Sequence, residues 1–409
     1  MGGHDLHTIT FAAFILSAGA VGDRIGAKKV FIAGFSVFTA ASLACALAPT
    51  ATPLIAARAL QGVGAAILVP TSLALLNHAY HGDKERGRAV GIWAAGASLA
   101  LTAGPLVGGI LIALAGWRSI FFVNLPIGLA GLWLTWRFAE ETASADRRLD
   151  LPGQAAAIAA LGVLAAAIIE GGAVGWTNPW VIGGFAAFVV FAVLFIIQEQ
   201  RTPQPMLPLA LFRHRLFALT SLIGLLANVA FYGLIFVLSL YFQNVNGLSP
   251  FATGLAFPPM LGVVLPVNLL APRLAERFGA PAIIAAGELI AAAGSISLVG
   301  LVHGTAYWSM CAQLVALGAG LGLLVPPLTA TLLGSVEKSR SGVAAGVLNS
   351  TRQTGSVLGV ALFGSLIGQS GAFLSGANAS LIISAVLLGG AAASIAFGAR
   401  VREAATPRR

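Results

Sequence analysis

The sequence predicts an all-α polytopic membrane protein, made of two parallel-related helical halves with two extra helices between them. Only 9% of the 409 residues are charged and 58% are hydrophobic, whereas a soluble domain carries about 25% charged residues. The apolar residues form runs of about 20, which is the length of helix that crosses the hydrocarbon of a bilayer. Glycine-rich blocks from the first half of the sequence recur in the second half at a nearly constant spacing.

Thirteen apolar runs predict about 13 transmembrane helices. The first run, over residues 6–21, is short, and its beginning carries the polar side chains of His7, Thr8 and Thr10. The other twelve are long enough to cross a bilayer, and they lie at 30–48, 52–79, 89–114, 119–138, 152–171, 179–198, 216–242, 251–271, 281–302, 306–333, 342–367 and 377–399. A membrane β-barrel is excluded because these runs do not alternate between apolar and polar residues.

The basic residues predict how the helices are oriented. When the first basic loop, residues 24–29, is taken as cytoplasmic and the loops alternate, that side receives 20 of the 23 Lys and Arg residues. The opposite side receives only Arg118, while Arg58 and Arg352 fall inside spans. This asymmetry follows the positive-inside rule. It predicts a multi-pass plasma-membrane protein with a cytoplasmic C-terminus.

An internal repeat predicts the domain organisation. The segment around Asp23 recurs around Glu276, and the segment around Gly62 recurs around Gly318. Parallel halves with a binding site between them are a transporter architecture. The predicted domains are an N-terminal helical half over 1–138, linkers with two extra transmembrane helices over 139–213, a C-terminal half over 214–399 and a cytoplasmic tail over 400–409.

Composition and motifs exclude several other classes of protein. The net charge of +9 does not indicate nucleic-acid binding, because the basic residues lie in short runs between apolar segments. Cys45 and Cys311 lie in apolar stretches and are interpreted as small buried hydrophobic residues, so no disulfide or metal site is predicted. The sequence shows no nucleophile–base pair and no phosphate-binding loop. We therefore expect neither an enzyme nor a cofactor.

The first of three motifs follows the run over residues 6–21 and contains Gly19, Asp23, Arg24 and Gly26. Gly26 permits a tight turn, and Asp23 can accept hydrogen bonds from a helix N-terminus or an arginine. This predicts a charged latch on the cytoplasmic side. The alternative is a positive-inside loop with an incidental carboxylate.

The second motif is Arg58, Gln61 and Gly62, inside the predicted span 52–79. An arginine at membrane depth is costly and normally faces a cavity or a partner. Gln61 can bond the same neighbours, and Gly62 allows a neighbouring helix to approach closely. The alternative is a structural arginine held by backbone carbonyls.

The third motif, in the predicted span 89–114, combines a proline with glycines. Proline removes a backbone donor and bends a helix, and glycines permit close packing against a facing helix. The alternative is a generic glycine-rich packing face. The residues of this motif are Gly91, Gly104, Pro105, Gly108 and Gly109, with Ala100 at a sixth position.

Together the three motifs resemble those of the major facilitator superfamily, and most closely its 14-helix branch of drug:proton antiporters, over nearly the whole chain. The third motif resembles the antiporter signature of that superfamily, with Ala100 in place of one glycine. The resemblance implies a major-facilitator-type fold and proton-driven export of small hydrophobic or cationic compounds by alternating access. It also implies a monomer whose partners are the substrate, protons and lipid, and it associates Arg58 with proton coupling.

The resemblance also implies a helix before residue 6, which the sequence does not show. One interpretation is that the translation start lies upstream of Met1, and the other is a truncated, non-transporting membrane protein. An exporter of one specific metabolite is a further alternative to multidrug efflux.

Charged residues near or inside the later spans are candidates for proton coupling. Glu170 ends one of the extra helices on the predicted outer side, and Glu288 lies inside its span. Glu288 carries a proton or is a lone carboxylate kept neutral by burial. Arg352 is a second costly intramembrane cation, and its expected partner is a substrate, Glu288 or only the backbone.

A substrate cavity is expected to be apolar with a few polar anchors. Aromatic side chains at helical spacing form a stripe on one span, and the alternative role for such a stripe is packing against lipid or a neighbouring helix. The candidates are Asn228, Phe231, Tyr232, Phe236, Tyr241 and Gln243 on one span, with Gln313 opposite and Asn349 in the span of Arg352.

Overall fold

The computed structural model describes residues 21, 25–80, 83–142, 150–203, 205, 207–300, 306–336, 341–368 and 373–405. Nearly all of the predicted first run, and with it Gly19, Asp23 and Arg24 of the first motif, lies outside these ranges. Within them every regular element is a helix, as the sequence predicts.

The described residues up to 201 form seven α-helices. Five of them end before residue 139, and the two that follow are the predicted extra helices. They are α1 (Ala27–Leu47), α2 (Ala51–Ala79), α3 (Asp83–Ala115), α4 (Ser119–Phe122), α5 (Asn124–Phe138), α6 (Leu151–Val174) and α7 (Pro179–Arg201).

The described residues beyond 208 form eight α-helices, with a 3₁₀ turn at Leu209–Arg213 and a π-helical turn at Tyr241–Val245. The α-helices are α8 (Arg215–Leu240), α9 (Pro250–Ala256), α10 (Pro258–Leu261), α11 (Val264–Phe278), α12 (Ala280–Ser297), α13 (Tyr307–Gly334), α14 (Ser341–Ile367) and α15 (Phe373–Ala405).

The described residues contain ten helical segments that are long and apolar enough to cross a membrane. They coincide with ten of the twelve long predicted runs. The run 89–114 lies in α3, where only Leu106–Ala115 stands out as a short apolar helix. The run 342–367 forms α14, but the polar residues 349–354 make this helix less apolar than the ten. The predicted count of about 13 transmembrane helices stays a prediction.

Prolines divide the predicted span 251–271 into shorter helices. Pro258 and Pro259 begin α10, and the chain passes from α9 to α10 through Phe257 and from α10 to α11 through Gly262 and Val263. A proline lacks the backbone donor that would continue the preceding helix. Pro250–Phe278 as a whole still counts as one of the ten membrane-length segments.

The described chain divides into two compact units, and each has its own packing. The first contains the described residues up to Ala97, with Leu111–Ile168 and Gly175–Leu209, and the second contains Ser98–Ile110, Ile169–Val174 and the chain from Ala210 onward. In the first unit α1 packs against α2 and α5. In the second unit α8 packs against α14 and α15, and α12 packs against α13 and α15. The largest buried core lies in the second unit and includes Leu234, Leu238, Tyr241, Phe242 and Met260.

Two glycines bring the backbones of α12 and α13 into contact. A Cβ atom at Gly287 would lie 2.6 Å from the carbonyl oxygen of Gly320, and a Cβ atom at Gly320 would lie 2.5 Å from the carbonyl oxygen of Gly287. Real Cβ atoms do not approach other atoms this closely. The crossing therefore requires glycine on both helices, as small-residue contacts between membrane helices generally do.

We expect Gly320→Ala to destabilise the second unit, because the added methyl group forces α12 and α13 apart. Overpacking of this kind costs about 1–3 kcal/mol, and thermal unfolding of the protein in detergent would show a lower Tm. Gly390→Ala on α15 is the matched control, since a Cβ at Gly390 meets no described atom within 4 Å. Equal Tm values for the two variants would contradict the close crossing.

Candidate functional site

Arg58 is the first member of a polar network inside the membrane-length helices of the first unit. Its Nη1 donates to Oε1 of Gln61, one turn further along α2, at 2.5 Å. Gln61 Nε2 donates to Oγ of Ser42 on α1 at 2.7 Å. Asn124 Nδ2, at the start of α5, donates to the same oxygen at 3.4 Å. The network therefore connects α1, α2 and α5 through side chains alone.

Burial and an aromatic ring fix this network further. Gln61 is 1% exposed and Ser42 is fully buried. The guanidinium carbon of Arg58 lies 5.6 Å from the ring centroid of Phe121 on α4, a distance at which a cation is attracted by the ring face. The Arg58 side chain is thus held by a charge-assisted hydrogen bond and a cation–π contact, inside a membrane-length helical segment.

Arg352 is the centre of a second polar cluster, in the second unit. Its Nη2 donates to Oγ1 of Thr329 on α13 at 2.8 Å, and Tyr232 on α8 lies within electrostatic range of the guanidinium. Asn228, one turn before Tyr232, faces α14, because a Cβ at Gly355 would lie 3.1 Å from the Asn228 Cβ. Three helices thus bring the predicted residues Asn228, Tyr232 and Arg352 together, with Thr329 as an additional member.

Glu288 is fully buried in the middle of α12. Neither of its carboxylate oxygens has a hydrogen-bond partner among the described residues. It forms no ion pair with Arg352, whose guanidinium reaches Thr329 instead. A membrane-embedded carboxylate without donors is costly when ionised, so its surroundings must change when its charge changes.

The third motif lies along α3, and its last residue makes a close helix contact. A Cβ at Gly109 would lie 2.8 Å from the carbonyl oxygen of Pro250, at the start of α9. A Cβ at Gly104 or Gly108 would meet no described atom within 4 Å. Gly91 and Pro105 also lie in α3, which continues through the proline to Ala115. Gly109 therefore requires glycine for packing on α9, and the other two positions do not in this conformation.

The remaining coupling and motif residues that the structure describes take no side-chain part in these clusters. Gly26 has a positive φ of 102° and precedes α1, whose first amide, that of Ala27, donates to Thr142 Oγ1 at 2.6 Å. Gly62 is buried within α2. Glu170 lies near the C-terminal end of α6 and is exposed. Only Gly26 among these has a backbone conformation that calls for glycine.

The predicted cavity residues divide into core and partly buried positions. Phe231, at 8% exposure, and the fully buried Tyr241 belong to the packed core of the second unit. Gln243 Nε2 donates within its own turn to Ser239 Oγ at 3.3 Å. The partly buried members are Tyr232, Asn228, Phe236, Gln243, Gln313 and Asn349. Oε1 of Gln313 is buried without a partner among the described residues.

Three network members were absent from the predicted site: Ser42, Asn124 and Thr329. Each is a small polar residue in an apolar helix, and such residues commonly bond the carbonyl of the preceding turn. Ser42 does so with Phe38 at 2.8 Å and Thr329 with Val325 at 2.8 Å. Their second bonds, to residues on other helices, leave no signal in the sequence.

Comparison with known proteins covers most of the chain. A family model described as Major Facilitator Superfamily matches residues 6–152 and 151–360. The chain is 40% identical over 392 residues to a methylenomycin A resistance protein of Streptomyces coelicolor, covering 95% of this chain and 82% of that one. It is 38% identical to the multidrug resistance protein Stp of Mycobacterium tuberculosis, over 88% of this chain and 67% of the relative.

A solved structure shares the fold at low sequence identity. The POT family transporter PepTSo superposes with a TM-score of 0.68 over 98% of this chain and 90% of its own, at 14% identity.

Proposed function

The chain belongs to the major facilitator superfamily, and on that basis we propose that it exports small hydrophobic or cationic drug-like compounds in exchange for protons. The observation that carries the proposal is the 40% identity to an antibiotic resistance protein over 95% of the chain. The relative named as a multidrug resistance protein points the same way. The export signature along α3, with its close contact at Gly109, is consistent with an exporter.

Alternating access between the two helical halves is the proposed mechanism. It rests on the sequence repeat, with residues 1–138 and 214–399 as the halves and 139–213 as the insertion that carries the extra helices. Transporters built from parallel repeats bind substrate near the midplane and expose it to either side in turn. We take the protein as a monomer of the plasma membrane with its C-terminus in the cytoplasm, and Asp23 and Arg24 as parts of a cytoplasmic latch.

Proton coupling needs a group that is protonated in one conformation and ionised in another. Glu288 fits this role because it is fully buried and its oxygens lack partners in the described chain. Arg58 is the companion cation in the other unit, held by Gln61 and Phe121. Binding of a proton at one site and of substrate at another would then favour different conformations, which is how antiport couples two fluxes.

Efflux of a fluorescent cation tests the proposal directly. Cells that overproduce the protein are loaded with ethidium, and efflux is followed by the loss of fluorescence after an energy source is added. We expect efflux faster than in cells with the empty vector, and its abolition by a protonophore. Efflux that continues at the same rate with the protonophore would contradict proton coupling. Rates equal to the empty vector for both ethidium and methylenomycin A would contradict drug export.

A further inference from the structure

The helices around Arg352 provide no counterion for its charge. α8, α13 and α14 contain no Asp or Glu at any position, and Glu288 on α12 forms no bond with Arg352. A guanidinium at membrane depth is normally paired with an acid or faces a cavity. Arg352 is partly buried, so its charge is removed from bulk water without being neutralised by the helices that hold it.

The hydrogen bonding of Arg352 leaves most of its donors for another group. The Oγ1 hydroxyl of Thr329 donates its proton to the carbonyl oxygen of Val325 at 2.8 Å, so it receives Arg352 Nη2 as an acceptor. A guanidinium carries five N–H donors in a planar fork. In the described part of the chain Thr329 satisfies one of them. A fork with a free edge matches the two oxygens of a carboxylate.

Polar side chains of α8 and α14 lie near the guanidinium. A Cβ at Gly224 on α8 would lie 4.0 Å from Cγ of Arg352, an ordinary van der Waals distance, so the arginine stem lies beside this face of α8. Asn228 and Tyr232 follow on the same face of α8 at intervals of four residues, and Asn349 precedes Arg352 by three on α14. A few polar groups on otherwise apolar helices are the kind of group that orients a small ligand in a binding site.

We propose that Arg352 binds the carboxylate of hydrophobic acids, so that the exporter accepts hydrophobic carboxylates as well as neutral and cationic compounds. This inference rests on the proposed function, because it names one substrate class of the same transporter. The carboxylate supplies the charge that the three helices lack, and Asn228 and Tyr232 contribute hydrogen bonds beside it. A purely structural arginine would show no preference for the charge of a ligand.

Binding of a matched pair of probes tests the inference without relying on transport. The probes are radiolabelled 1-naphthaleneacetate and 1-naphthaleneacetamide, which share the ring and differ in charge, and binding to the purified full chain in detergent is measured by equilibrium dialysis. We expect the wild-type protein to bind the carboxylate about tenfold more tightly than the amide, as a charge-assisted hydrogen bond allows. Arg352→Gln should remove this preference, and Arg352→Lys should retain part of it.

Arg137→Gln is the matched control, because Arg137 lies exposed at the end of α5, and it should keep the full preference. Equal binding of the two probes by the wild-type protein would overturn the inference, even if a variant failed to fold. A preference that survives in a folded Arg352→Gln variant would overturn it too. Ethidium efflux separates the two proposals: efflux without a carboxylate preference contradicts only this inference, and a carboxylate preference without efflux contradicts only the transport proposal.

Discussion

Glu288→Gln is expected to abolish proton-driven efflux while leaving the protein folded. Glutamine has the size of glutamate but cannot exchange a proton, so a transporter that uses this group loses the link between the proton gradient and substrate movement. We expect active ethidium transport into everted membrane vesicles under an imposed pH gradient to fall at least about tenfold, as expected for loss of a positioned proton-transfer group. Downhill exchange of ethidium between the two sides should persist.

The expectation depends on the site that α12 provides for Glu288. The side chain is 0% exposed, and the backbone beside it at Gly287 contacts Gly320 on α13 directly. Neither carboxylate oxygen has a donor among the described residues. Ionisation in this packing would leave a charge without compensation, which is costly in a membrane interior. Release of a proton would therefore require an opening between these helices, and in the proposed antiport this requirement links protonation to conformation.

Glu170→Gln is the matched control for this substitution. Glu170 is the other carboxylate predicted near membrane depth, but it is exposed near the end of α6. An exposed carboxylate can ionise in any conformation, so its replacement should leave transport within about twofold of the wild type, since surface substitutions have small effects. Loss of transport in Glu170→Gln with retention in Glu288→Gln would assign the proton to the other carboxylate and contradict the role given to Glu288.

Much of the fold could be predicted because the bilayer imposes a length on every apolar helix. Ten of the predicted runs match membrane-length segments of the described chain. The predicted span 251–271 became three helices because Pro258 and Pro259 interrupt backbone bonding, and hydropathy alone does not record that break. The run 342–367 was predicted as a full span, but its polar stretch 349–354 keeps α14 out of the ten membrane-length segments, although this helix packs closely on α8.

The site could be predicted only in part, because hydropathy identifies costly residues but not what they contact. Arg58, Glu288 and Arg352 were found because a charge inside an apolar run is rare. Their partners Ser42 and Thr329 look like ordinary helix residues that bond the preceding turn. The aromatic residues of the run 216–242 predicted a cavity, whereas Tyr241, in the π-helical turn after α8, is fully buried in the core. Helix rotation decides between these outcomes, and it depends on the neighbouring helices.

Arg58→Gln is expected to reduce active efflux at least about tenfold, because a charge-assisted hydrogen bond and its fixed geometry are lost together. The guanidinium donates to Gln61 at 2.5 Å and lies over the Phe121 ring. Gln61 in turn donates a hydrogen bond to Ser42 on α1. Arg58→Lys keeps the charge without the planar fork, so it should give an intermediate rate. The rates are measured as ethidium transport into everted vesicles with equal amounts of protein.

Arg118→Gln makes the comparison specific to the position of Arg58. Arg118 has contacts of the same kind: its Nη2 donates to the Ala48 carbonyl oxygen at 3.0 Å, and its guanidinium carbon lies 4.3 Å from the ring centroid of Trp117. Unlike Arg58, it lies in the turn between α3 and α4, outside both helices. Its replacement should leave efflux nearly unchanged. The Tm of each variant separates coupling from structure. Arg58 is a structural arginine if Arg58→Gln lowers the Tm and efflux together, or if this variant transports as well as Arg118→Gln. Loss of efflux at an unchanged Tm assigns Arg58 to proton coupling.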